Sequence, residues 1–138
     1  MFSNDRDGYR KVYFETWEKY QKGLALLPLE KQLIEVILLH PEYHILLNEP
    51  KRYQGLSFAP EENPFIHMSL HMSILEQIQM NRPQGILNIY NTLLEKNQDA
   101  HEAIHQMMAC LAQVMWEAQQ NGIMPQEEEY LKKLQNII

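Results

Sequence analysis

Apolar residues return every three or four positions through most of this chain, the spacing that lays one hydrophobic stripe along a helix. Tyr9, Val12, Tyr13, Thr16, Trp17 and Tyr20 recur in this way and predict a first helix from about Asp5 to Lys22, with Gly23 as its stop. Pro28 opens a second helix whose inward stripe is Leu29, Leu33, Val36 and Ile37. Pro41 ends it, because a residue before proline disfavours the α region. A short helix from Pro41 to Leu47 is expected next, then a loop holding Pro50, Gly55 and Pro60. Asn63-Pro64 reads as an N-cap followed by proline at the first helical position, so a fourth helix runs from there to about Met80. Pro83 starts a fifth that ends near Asn97. Asp99 and Glu102 have capping-box spacing and begin a sixth, reaching about Gln120 before Asn121-Gly122. Pro125 opens a last amphipathic helix through Tyr130, Leu131, Leu134 and Ile138. No stretch alternates with a period of two for long enough to make a sheet. The expected fold is all-α, a single-domain bundle over 1–138 with about five to seven helices.

Composition narrows the function more than the fold. The net charge of −6 argues against nucleic acid or an anionic membrane surface as partner, since both demand a basic patch. Acidic residues stand at the N-terminus where a signal peptide would carry bases, and no apolar run is long enough to span a bilayer. The single cysteine, Cys110, excludes an internal disulfide. A cytoplasmic protein is the expectation.

The six histidines carry the chemical signal. They fall into three His-x-x-x-His pairs: His40 with His44, His67 with His71, and His101 with His105. On one helix, residues four apart lie about 40° from each other around the axis, so two imidazoles can reach a single ion. In the helix after Pro64, Ser69, Ser73, Glu76 and Gln77 mark a polar face, and His67 and His71 lie opposite it beside Leu70, Ile74 and Ile78. In the helix after Asp99, His101 and His105 fall within the apolar arc near Ala112 and Trp116, while Cys110 falls on the polar side. Buried imidazoles need partners, since an unpaired polar group costs on the order of 1–3 kcal/mol. Pro41 interrupts the first pair, so the one-helix geometry does not apply there. His40 continues the Leu33, Val36 stripe, and His44 has to swing in from the short helix.

Four more specific sites are weaker. His101-Glu102-Ala103-Ile104-His105 matches H-E-x-x-H, in which two histidines bind zinc and the glutamate is the general base. A structural role is open to Glu102 as the third residue of a capping box led by Asp99, and Met108 and Leu111 occupy the positions of the glycine and third histidine of the extended motif. A ferritin-type di-iron site needs inward Glu-x-x-His motifs, which the pairs lack. Hemerythrin-like ligation is closer, but its bridging acids are not evident. Met68, Met72, Met107, Met108 and Met115 read as adaptable core packing rather than copper ligands.

The run Asn63-Pro64-Phe65-Ile66-His67-Met68-Ser69-Leu70-His71 resembles an uncharacterised bacterial family of small cytoplasmic proteins, one of those catalogued as a domain of unknown function. The resemblance extends through His40-Pro41-Glu42-Tyr43-His44, through His101 to Leu111, and through Trp116-Glu117-Ala118-Gln119. It implies a helical bacterial protein and transfers no activity or catalytic residue. The leading expectation is a metal-binding helical protein. His67, His71, His101 and His105 are its expected ligands, and His40 or His44 completes or flanks the site. The expected ion is a divalent transition metal, zinc or iron first. Two other classes compete: a non-enzymatic interaction module whose histidines are structural, and an H-E-x-x-H zinc-dependent hydrolase.

Overall fold

A computed structural model of the protein describes residues 6–53, 55–59 and 62–138, with side chains from Arg10 onward. The expected helix start at Asp5, the inward side chain of Tyr9 and the loop position Pro60 lie outside the described residues. Every regular element found is helical: α1 (Arg6–Gln21), α2 (Pro28–Leu38), a 3₁₀ turn (Pro41–Tyr43), α3 (His44–Leu47), α4 (Pro50–Tyr53), α5 (Pro64–Met80), α6 (Ile86–Asn97), α7 (Ala100–Gln120) and α8 (Glu127–Gln135). Two of these, α3 and α4, are single turns. No described helix is long and apolar enough to cross a membrane. Backbone contacts group the chain into two compact units, 1–69 and 70–138, and α5 contributes residues to each.

In the first unit α1 packs on α2. Tyr13, Phe14 and Trp17 of α1 and Leu33, Ile34, Val36 and Ile37 of α2 are buried. Burying an aliphatic or aromatic side chain of this size stabilises a fold by about 1.5–3 kcal/mol, so these residues dominate the pairing. The start of α5 joins them through Phe65, whose ring lies 5.6 Å from those of both Tyr13 and Phe14. Arg10 is buried too. Its guanidinium lies over the rings of Phe58 (5.3 Å) and Phe65 (4.9 Å) and donates to the carbonyls of Tyr53 and Leu56. The beginning of α2 is clamped by Glu30, which accepts the Leu27 backbone N–H at 2.8 Å and the Lys19 ammonium at 2.9 Å. That backbone hydrogen bond, with the Lys19 ammonium beside it, holds the Glu30 carboxyl below the usual carboxylate range.

The second unit is built around α7, with α6 and α8 both packed on it. Its core joins Ile74, Ile86, Ile89, Leu93, Ala103, Ile104, Met107, Met108, Val114, Tyr130 and Leu134. Because α7 is covered by two helices, its buried arc is wider than one stripe. Cys110 is therefore buried, not on a polar face, and Trp116 is the exposed residue. Burial pushes the Cys110 thiol up from its ordinary value.

Local rules explain most helix starts. Asn63 Oδ1 accepts the N–H groups of Phe65 (2.9 Å) and Ile66 (3.2 Å), and the Asp99 carboxylate accepts the His101 N–H at 3.0 Å. Other starts differ from the sequence reading: the single turn α4 begins at Pro50, inside the expected loop, and α8 begins at Glu127, two residues after Pro125. Pro83 lies in a turn closed by Ile86 N–H donating to its carbonyl, and α6 begins only at Ile86. Gly85 in the left-handed region (φ 96°) precedes that start, and the cap comes from Asn81, whose Oδ1 accepts the Leu87 N–H at 3.1 Å. The expected polar face of α5 is also only partly wet. Tyr13 donates its hydroxyl hydrogen to Ser69, whose own goes to the Phe65 carbonyl (2.8 Å), and Tyr130 donates to Gln77 at 2.7 Å. Glu76 is exposed as expected.

Candidate metal centre

Helix α5 sets the site. The four-residue interval between His67 and His71 puts them one turn apart, on neighbouring positions of one helical face. His71 is fully buried and His67 half-buried.

His40 ends the α2 stripe at the break that Pro41 imposes, and only 2% of it is exposed. Its Nδ1 lies 2.8 Å from the Val36 carbonyl. A carbonyl can only accept, so the ring proton sits on Nδ1 and the Nε2 lone pair points away from α2. Facing that lone pair at 3.0 Å is Nε2 of His67, which supplies the hydrogen between them. The two rings stand nearly perpendicular, with centroids 4.8 Å apart. A backbone carbonyl holding one imidazole nitrogen so that the other is presented outward is the arrangement that typically orients histidine ligands in metal sites.

In the second unit, His71 meets the pair on α7. Its ring centroid lies 5.3 Å from that of His101 and 5.7 Å from that of His105, and the latter two are 4.0 Å apart. Both α7 histidines are half-buried. The histidines that approach one another within a unit thus form two groups, His40 with His67 in the first and His71 with His101 and His105 in the second.

His44 belongs to neither group. His44 turns its Nε2 to the Ile37 carbonyl at 2.8 Å and lays its ring against Trp17, with centroids 4.4 Å apart. His101 sits in the first turn of α7 beside His105. The backbone carbonyls of Val36 and Ile37, which hold His40 and His44, carry no signal in a sequence, since every residue has one. Glu102, the acid of the H-E-x-x-H run, is exposed, as are Asp99 and Ala100 next to it. The groove bordered by Phe14, Trp17, Leu47 and Asn48 encloses ≈ 380 Å³ and is lined by no histidine.

No curated protein and no solved structure matches the chain. A family model does match, over residues 5–136, and the protein accordingly belongs to the family described as a domain of unknown function (DUF1841), as the motif resemblance implied.

Proposed function

We propose that the protein holds one zinc(II) ion through the histidines of its second unit, His71, His101 and His105. The observation that carries this reading is the mutual approach of the three rings, whose centroids lie 4.0, 5.3 and 5.7 Å apart. Three imidazoles are an established zinc ligand set, and they leave the fourth position of a tetrahedral ion to water or another donor. Imidazole donors also suit copper, nickel and iron(II). The exposed Glu102 gives the hydrolase reading no support.

The interaction-module reading keeps one histidine. His44, donating to the Ile37 carbonyl and packed on Trp17, serves as a cap for the end of α2. The test of the metal reading is elemental analysis and thermal unfolding of chelator-treated protein without a histidine tag, with zinc(II), iron(II), nickel(II) and copper(II) added in turn. One zinc per chain is expected, with stabilisation of about 4 kcal/mol once free zinc stands a thousandfold above its Kd. His105→Ala should lose both effects. No stoichiometric ion of any kind and an unchanged unfolding temperature would overturn it.

A further inference from the structure

The first unit holds a histidine pair that the three-histidine reading leaves aside. His40 is 2% exposed, and its Nδ1–H is fixed on the Val36 carbonyl at 2.8 Å. Its Nε2 lone pair therefore has one direction. Nε2 of His67 stands in that direction at 3.0 Å, with the two ring planes 81° apart. Tyr43 covers one side of the pair. Its ring lies nearly parallel to that of His40 (centroids 5.4 Å apart, 11°) and edge-on to that of His67 (6.0 Å, 74°). Two imidazoles thus address each other nitrogen to nitrogen in a sheltered place, with a hydrogen between them.

Two donors set head to head do not suit zinc, which takes four. They suit a monovalent d¹⁰ ion, which is satisfied by two nitrogen donors in a line, and imidazole is a good donor for copper. Burial points the same way. The cost of taking an ion out of water rises with the square of its charge, so a single charge costs about a quarter as much as a double one. We infer that His40 and His67 form a second metal site, which binds copper(I) in linear two-coordinate geometry. The ion takes the place of the shared hydrogen. The His67 proton moves from Nε2 to Nδ1, so no proton is released and both rings stay neutral. At about 2 Å for each metal–imidazole bond, the two nitrogens separate by roughly 1 Å. The half-buried His67 is the side chain that gives way, while His40 stays on its carbonyl. The site does not depend on the zinc reading above.

The experiment titrates copper(I), kept reduced by ascorbate without oxygen, into the full chain. The three-histidine group is first filled with zinc or removed by His105→Ala. One copper(I) per chain is expected in both proteins, with X-ray absorption reporting two nitrogen neighbours. Silver(I), which shares the charge and the preference for two donors, should compete, and an excess of zinc should not. His67→Ala should weaken copper(I) binding by more than the roughly 10–100-fold that loss of an outer partner costs, and should leave zinc content unchanged. Circular dichroism establishes that the variant is folded, and if it is not, the wild-type absorption spectrum decides alone. No copper(I) in either protein, or three or more nitrogen neighbours, would overturn the proposal. Loss of zinc together with copper in His67→Ala would overturn it as well, since the pair would then belong to the zinc ligands. A chain that takes copper(I) in this way but binds no zinc supports the proposal and refutes the zinc reading alone.

Discussion

Glu30→Gln isolates one charge at the start of α2, the helix whose last residue lies two positions before His40. Glutamine keeps the volume of the side chain and a carbonyl oxygen able to accept the Leu27 N–H, but it gives the Lys19 ammonium a neutral partner. Hydrogen bonds to charged groups contribute about 1.5–3 kcal/mol and neutral ones about 1. The Lys19 side chain is 38% exposed, so solvent screens much of that difference. A loss of about 1 kcal/mol near neutral pH is the expected result. The effect must also vanish in acid. The Glu30 carboxyl in the folded chain titrates below its ordinary value of 4.5, so its contribution is complete above that value. The contribution is lost as pH falls through the lower, folded value, where wild type also becomes neutral at this position. Urea unfolding of both proteins at pH 7 and near pH 3 reads the two gaps directly, and 1 M salt at pH 7 should narrow the first. Zinc content should be unchanged. A gap of the same size at both pH values would refute the electrostatic account, leaving only a packing or capping effect of the substitution.

Two further outcomes follow from the second unit. Tyr130→Phe removes the 2.7 Å hydrogen bond to Gln77 and leaves that half-buried amide oxygen without its donor, so urea unfolding should show a loss of about 1–2 kcal/mol. Cys110, buried and with its thiol pushed up by that burial, should resist iodoacetamide at pH 8 in the folded protein and react promptly in urea, as mass spectrometry would show.

The elements legible in advance were those governed by neighbours in sequence. Pro28, Asn63-Pro64 and Asp99 start helices through caps and proline geometry acting within three residues, and all three stand where expected. The start at Ile86 was not legible, because its cap comes from Asn81, six residues before the N–H it accepts. Cys110 and Trp116 exchanged their expected environments because a helical wheel carries one inward direction, and α7 has a neighbour on each of two sides. Ser69 and Gln77 looked wet for a related reason: each answers a tyrosine hydroxyl more than fifty residues away in sequence. Of the candidate site, the i,i+4 spacing conveyed which histidines share a helix. It could not rank them. That His44 faces the Ile37 carbonyl and Trp17, while His40 presents its Nε2 to His67, depends on the turn after Pro41, and no periodicity describes that turn.

Arg10 imposes a constraint of a different sort, on which sequences can replace this one. Its guanidinium meets two carbonyl oxygens and two ring faces at once. Lysine would bring the charge without the planar fork, and could not serve the Tyr53 and Leu56 carbonyls while stacking on Phe58 and Phe65. Glutamine would lose the charge as well. The segment carrying Tyr53, Leu56 and Phe58 offers backbone oxygens, which almost any sequence supplies, so Tyr53 and Leu56 are free to vary while the residue that reads them is not. Related chains should therefore drift along this loop and hold still at position 10.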